Sequence, residues 1–154
     1  MGSEYRSIYS AQVPAEESLG DIVVNADFTS ATWNTIATHE ILTITGLVRI
    51  RIIVECTGSV TGATGTLQLG NEGATTSLIG NTLATDLAIN ELWFNTAPTT
   101  SIGAAALFDR IVNEVDIGYE ILTAALTGGN LRFHCWWRPL EAGALVVSGT
   151  GSAL

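Results

Sequence analysis

Lysine is absent from all 154 residues of the chain, so the six basic side chains are all arginines. This absence excludes the Walker phosphate loop, Schiff-base catalysis and the kinase Lys–Glu pair, because each of them needs a lysine. Fifteen Asp and Glu residues give a formal net charge of -9. A surface of that sign repels phosphates, so we expect neither nucleic acid nor an anionic membrane as a partner.

Cysteine and histidine are scarce, with two of each: Cys56, Cys135, His39 and His134. They do not stand at the spacing of a metal site, and two distant cysteines do not form a disulfide framework. We expect both cysteines to be buried as small apolar residues and both histidines to be solvated or hydrogen-bonded within strands. The sequence therefore predicts no metal ion and no cofactor.

Signals for catalysis and for membrane insertion are also missing. The chain has no G-x-S-x-G nucleophile elbow and no D-x-[DN]-x-[DN]-G calcium loop. A glycosidase needs two carboxylates across a cleft, but a solvated acidic surface explains the acidic residues in the middle of the chain, which are Asp86, Glu91, Asp109, Glu114, Asp116 and Glu120. Apolar runs are too short to span a membrane and residues 1–20 lack a secretory signal. We expect a soluble protein without catalytic residues.

Short β-branched runs separated by Gly, Asn, Thr and Pro fill the chain from Asp21 onward. This pattern is typical of an all-β fold, and counting the runs gives about eight strands. The sequence predicts a single-domain antiparallel β-sandwich or jelly roll over residues 21–148. Residues 1–20 are expected to be an extended N-terminal arm, and residues 149–154 a flexible C-terminal tail.

Several segments carry more specific expectations. The clearest strand is 47–56, and the segment before it, 38–45, is expected either to pair with it or to continue into it through a bend at Gly46. Residues 118–126 and 130–138 are predicted to form a hairpin closed by a Thr-Gly-Gly connection. The other predictions are a strand at 91–95, a helix or a strand at 83–89, and a helix or a strand at 104–115, where a strand is favoured.

Residues 130–138 also predict an outward surface. Alternation places Arg132, His134, Trp136 and Arg138 on the face opposite to Trp137, and consecutive tryptophans on a strand must point to opposite sides. Trp and Arg are over-represented at the energetic centres of interfaces. This face is therefore a candidate contact surface, unless a second sheet or the N-terminal arm covers it.

Three stretches in the last two thirds of the chain are distinctive: Ala125-Leu126-Thr127-Gly128-Gly129, Trp137-Arg138-Pro139-Leu140, and GATGTLQLGNEGATTSLIG. In these stretches the chain resembles small structural proteins encoded in tailed-bacteriophage virion gene clusters. The resemblance implies a capsid decoration (cement) or related head-surface protein with a sandwich or jelly-roll body. It also implies a homo-oligomer, with a trimer favoured, that is made in the host cytoplasm and binds the major capsid protein on the virion surface.

Two functions follow as alternatives. The first is a non-enzymatic virion protein that binds the outside of a capsid and stabilises it by bridging capsid subunits. An arm that orders on binding can wrap a neighbour, and its clamp residues would be Tyr5, Arg6, Ile8 and Tyr9. The second is a carbohydrate-binding jelly-roll module attached to a virion or a cell surface. In that module Trp33, Trp93 or Trp136 would stack on sugar rings.

Overall fold

The β-branched runs become nine strands in a computed structural model that describes residues 20–100 and 108–154. Strand bounds are β1 (Gly20–Asp27), β2 (Thr38–Thr45), β3 (Leu47–Thr61), β4 (Thr66–Asn71), β5 (Ala74–Leu83), β6 (Phe108–Asn113), β7 (Ile117–Leu122), β8 (Gly128–Pro139) and β9 (Leu145–Ser148). A one-turn helix, α1 (Ala31–Asn34), follows β1, and a 3-10 turn (Ala84–Asp86) follows β5. No helix in these two ranges is long and apolar enough to cross a membrane.

The strands form two antiparallel sheets, with orders β1-β8-β3-β6 and β5-β4-β7-β2-β9. The first strand pairs with the eighth, the second with the seventh, the third with the sixth and the fourth with the fifth. This nested pairing is the winding of a jelly roll, to which β9 adds a ninth strand beside β2. The predicted all-β sandwich or jelly roll is therefore confirmed.

The core lies between the sheets and follows from the period of two along each strand. In β3 the buried residues Val48, Ile50 and Ile52 alternate with half-buried or exposed ones. In β7, Tyr119 is fully buried and stacks on Phe133 of the other sheet, with 5.7 Å between ring centroids. Burial raises the pKa of Tyr119, whose hydroxyl remains neutral and donates to the main-chain oxygen of Trp33 at 2.7 Å.

The chain passes from β2 to β3 through a bend at Gly46, one of the two arrangements expected from the sequence. Gly46 has a φ of +70°, and a Cβ atom there would lie 2.6 Å from Glu141 Oε1. Glycine is favoured in this conformation because it has no Cβ. The bend sends β2 into the five-stranded sheet and β3 into the four-stranded sheet.

The predicted hairpin of residues 118–126 and 130–138 is wrong. β7 pairs with β2 and β4, whereas β8 pairs with β1 and β3, so the connection between them crosses from one sheet to the other. The connection is held by hydrogen bonds from Leu126 N to Asn34 O and from Thr127 N to Thr61 O. Two amphipathic strands bury more apolar surface by facing each other across a core than by lying side by side.

The segment 91–95 was predicted as a strand and is irregular instead. Trp93 is fully buried there, and its main-chain nitrogen donates to Val54 O at 2.9 Å. Its indole nitrogen also donates to Thr82 Oγ1 at 3.0 Å. Residues 91–95 thus bury the Trp93 ring beneath the edge of β5 instead of forming a regular hydrogen-bonded strand.

Two ambiguous segments are also resolved where the structure describes them. Residues 83–89 are neither a helix nor a strand throughout, because β5 ends at Leu83 and a 3-10 turn and loop follow. Of the segment 104–115, residues 108–113 form β6, as the favoured strand prediction requires. Residues 104–107 lie outside the described part of the chain.

Residues 149–154 lie against β2, although they were expected to form a flexible tail. The main-chain nitrogens of Gly149 and Gly151 donate to Ile41 and Glu40 of β2, at 2.9 and 3.1 Å. The Nδ1 atom of His39 lies 3.1 Å from the carbonyl oxygen of Gly151. β2 extends past the end of β9, and its backbone N–H and C=O groups there need hydrogen-bond partners. Residues 149–154 supply those partners.

Candidate interaction surface

The outward side of the four-stranded sheet collects the basic and aromatic residues of β8 and β3. Cross-strand register pairs Arg138 with Arg49 and Trp136 with Arg51. Opposed residues in an antiparallel pair point to the same side, so these side chains share one surface. We call this surface the arginine face, which comprises Arg49, Arg51, Arg132, His134, Trp136 and Arg138.

The four β8 residues of the arginine face were predicted from alternation, but the contributions of Arg49 and Arg51 were missed. Their alternation within 47–56 showed that they face outward. It did not show that β3 lies directly beside β8. That adjacency is a property of the sheet order, for which the sequence contains no local signal.

One end of the arginine face is organised by Asp109 of β6. Arg49 donates from Nε to Oδ1 at 2.9 Å and from Nη2 to Oδ2 at 2.6 Å, and Arg51 Nε lies 3.4 Å from Oδ2. The hydrogen bond from Arg49 holds the pKa of Asp109 below its usual range. A bidentate pair fixes the plane of the guanidinium group, so Arg49 is oriented before any partner arrives.

The other end is organised by Glu55 of β3. Its Oε2 atom lies 2.9 Å from His134 Nε2 and 3.7 Å from Arg132 Nη1. Arg132 Nε also donates to Asn25 Oδ1 at 3.1 Å. The ring of His134 stacks on that of Trp136, with 6.4 Å between centroids and 17° between planes. These contacts restrict the side-chain rotamers, which lowers the entropy lost on binding.

Among the described residues, arginines are confined to the four-stranded sheet. All five arginines in the described residues lie on β3, β6 or β8. The five-stranded sheet contains no arginine, and its outward side carries Thr, Gln68 and two acidic residues, Glu40 and Glu120. In a chain of net charge -9, the two sides of the sandwich therefore present different chemistry.

The cysteines and histidines do not converge on a metal site. Cys56 and Cys135 are both buried, as predicted, and both carry free thiols. Burial raises the pKa of Cys56 to about 11 and that of Cys135 to about 12. His39 is buried in the five-stranded sheet, whereas His134 lies on the outer side of the other sheet. Within residues 20–100 and 108–154 no three His, Cys, Asp or Glu side chains form a metal-binding group.

Three carboxylates from the middle of the chain bond to a neighbouring strand or turn. Asp116 Oδ1 accepts from Ile44 N at 2.8 Å, and Glu91 Oε2 accepts from Ala88 N at 2.9 Å. Glu120 Oε2 accepts from Gln68 Nε2 at 2.5 Å. A solvated acidic surface was expected, whereas these three carboxylates are half-buried and accept hydrogen bonds within the protein.

The tryptophans proposed for sugar stacking separate into three environments. Trp93 is fully buried. Trp33 packs on Tyr119 at 6.4 Å between centroids, and its ring lies against Gly151. Trp136 is half-buried on the arginine face. The arm residues proposed as a clamp, which are Tyr5, Arg6, Ile8 and Tyr9, lie outside the described residues, so their role stays a prediction.

Comparisons with known proteins give no family assignment. No family model matches the chain, and a search of curated proteins also found no match. A chain from the acidic stable capsid of Helicobacter pylori bacteriophage KHP30 is 14% identical, with a TM-score of 0.49, covering 85% of this chain and 95% of that one. A chain from the Israel acute paralysis virus pentamer is 8% identical, with a TM-score of 0.32, covering 89% and 92%. Both scores are below 0.5, so neither likeness assigns a function.

Proposed function

We propose that this chain is a non-enzymatic virion structural protein that binds the outside of a phage capsid through its arginine face. It stabilises the shell by bridging subunits of the major capsid protein, and it acts as a homo-oligomer on the particle. The observation that carries the proposal is the arginine face itself. The jelly roll occurs in both viral capsid and lectin domains, so the fold alone does not separate the two candidate functions.

The composition of the arginine face suits a protein partner. Interface centres are enriched in Trp and Arg and depleted in Lys, and this face has the first two in a chain without the third. Apolar side chains adjoin it, since Ile111 is opposite Arg49 and is 69% exposed, and Val23 is opposite His134 and is 47% exposed. A partner can bury the side chains of Ile111 and Val23 while Asp109 and Glu55 remain ion-paired with their arginines, so that the charges of those arginines are not buried without a counter-charge.

The choice of a phage capsid as the partner rests on the sequence resemblance. Of its two short motifs, 125–129 forms the crossing between the sheets and the start of β8. The other, 137–140, closes β8 and includes Arg138 of the arginine face. One motif thus concerns the fold, and the other concerns the proposed contact surface.

Carbohydrate binding has less support from the side chains. Of its three tryptophans, Trp93 is in the core and Trp33 is packed between Tyr119 and Gly151. Trp136 remains, surrounded by arginines that are paired with Asp109 and Glu55. Glycan binding is therefore the competing outcome of the experiment below.

The test is co-sedimentation with heads of the phage that encodes the chain, emptied of DNA and stripped of this protein. We expect Trp136→Ala and Arg132→Ala each to weaken binding about thirtyfold, since truncating an interface centre costs about 2 kcal/mol. Thr76→Ala, an exposed position on the five-stranded sheet, is the matched control and should bind as wild type does.

Two results would overturn the proposal. One is the absence of the chain from purified particles by mass spectrometry. The other is head binding that neither substitution on the arginine face changes. Binding to a glycan array that Trp136→Ala abolishes, with no binding to heads, would establish the carbohydrate function in its place.

A further inference from the structure

Edge strands expose unpaired backbone groups that can pair with another chain, and natural sheets protect them with charges, bulges or coverage. The sandwich has four edge strands, β1, β6, β5 and β9. In the four-stranded sheet, β1 carries Asp21 and Asp27, and β6 carries Asp109 and Arg110. Both edges of that sheet are therefore protected by charge.

The edge at β5 is protected without charge. Its ladder with β4 has two register shifts, and such irregularities bend a strand away from further pairing. The segment after the 3-10 turn lies against it, since Trp93 bonds to Thr82 and Thr96 approaches Gly80 closely. A second chain would have to displace these contacts to pair with β5.

In the part of the chain that the structure describes, neither kind of protection is seen at the edge at β9, whose ladder with β2 has no register shift. We call β9 together with residues 149–154 the neutral edge. From 142 to 154 the sequence AGALVVSGTGSAL contains no charged side chain, and residues 145–154 follow β2 from Thr45 back to Thr38. Three of its apolar residues are exposed, with Leu145 at 48%, Val147 at 44% and Leu154 at 39%, whereas Val146 is buried in the core.

We propose that a second copy of this chain docks on the neutral edge by antiparallel pairing of the two β9 strands about a twofold axis. The two five-stranded sheets would then form one continuous sheet. An antiparallel edge is complementary to itself, as an isologous contact requires. Val147, which faces the outer side of the sheet opposite Thr43, would approach its counterpart in the other copy.

The lack of charge along this edge allows a second copy of this chain to be the occupant. Two molecules of net charge -9 repel each other, so stable contact needs a surface on which no acidic groups meet. The neutral edge lies within thirteen consecutive uncharged residues, 142–154, and has apolar side chains that gain by burial. A basic partner would instead be drawn to the acidic residues outside this edge. The inference is independent of the arginine face, which lies on the other sheet.

The experiment measures molecular mass against concentration by analytical ultracentrifugation. We expect Val147→Lys and Val147→Glu each to weaken self-association at least tenfold, because like charges meet at the twofold axis. An equimolar mixture of the two variants should recover association, because opposite charges then meet. Leu83→Lys is the matched control, since Leu83 is 40% exposed on the opposite edge strand of the same sheet.

Four results would overturn this inference. The first three are a wild-type chain that stays monomeric up to millimolar concentration, equal weakening by Leu83→Lys, and a mixture that associates no better than its components. The fourth is a trimer that the Val147 variants leave intact. Thermal melting verifies that each variant is folded, as expected for an exposed position. Head binding by Trp136→Ala is measured in a separate experiment. The proposed capsid-binding function and the proposed pairing of β9 strands can therefore fail independently.

Discussion

The two outer faces of the sandwich differ in how their polar groups are bonded. On the five-stranded sheet, Gln68 is only 8% exposed, and its Nε2 donates to Thr75 Oγ1 at 2.7 Å and to Glu120 Oε2 at 2.5 Å. On the four-stranded sheet, the ion pairs of Arg51 and Arg132 have side chains between one third and one half exposed. Exposed pairs contribute little to stability, whereas a buried amide that loses its partners is costly.

This difference separates a face that stabilises the fold from a face that is available to a partner. On the five-stranded sheet, hydrogen bonds between neighbouring strands occupy the side chains of Gln68, Thr75 and Glu120. Ion pairs on the arginine face orient their groups but leave them accessible. The following substitutions test this comparison.

The largest effect is expected where the arginine face meets the core, at two consecutive residues of β8. Phe133 is 1% exposed and stacks on Tyr119, whereas His134 points outward. Phe133→Ala should lower the free energy of unfolding by about 3–5 kcal/mol, and His134→Ala by less than about 1 kcal/mol. Urea denaturation monitored by circular dichroism measures both. Similar values for the two variants would contradict the alternation on which both faces depend.

An intermediate effect is expected on the five-stranded face. Gln68→Ala removes the donor shared by Thr75 and Glu120 and should lower the free energy of unfolding by about 1–3 kcal/mol. Arg132→Ala, on the exposed face, should change it by less than about 1 kcal/mol. The neutral control is Thr76→Ala. If Arg132→Ala proved the more destabilising of the two, the proposed division between the faces would be wrong.

The smallest effect is a pH dependence at Asp109. The pKa of Asp109 is lowered in the folded state, chiefly by the hydrogen bond from Arg49. The carboxylate therefore adds to the free energy of unfolding at a pH above its unfolded pKa, near 3.9, and this stabilisation is lost as the pH falls through its folded pKa. Asp109→Asn should therefore lower stability by less than about 1 kcal/mol at pH 7. The difference from wild type should shrink towards pH 3. A difference that grows on acidification would reverse the assigned sign.

Local patterns explain which parts of this structure could be predicted. Alternation in β3 and β8 identifies the buried side chains and the outward position of Trp136, because side-chain direction depends only on the strand itself. The prediction of a hairpin from 118–126 and 130–138 was wrong because a short glycine-bearing connection fits a hairpin and a crossing between sheets equally well. The prediction of a strand at 91–95 was wrong because the burial of the Trp93 ring outweighed the strand propensity of the segment.

The sequence by itself determined the all-β class, the inward and outward sides of the main strands, and an acidic net charge in a chain without lysine. Tertiary structure alone decided that β3 lies beside β8, which brings Arg51 next to Trp136, and that Asp109 of a distant strand joins them. It also decided that β9 is left as a neutral, exposed edge. The physical reason is that side-chain direction is a local property of one strand. Strand order depends on how two amphipathic sheets bury their inner faces against each other.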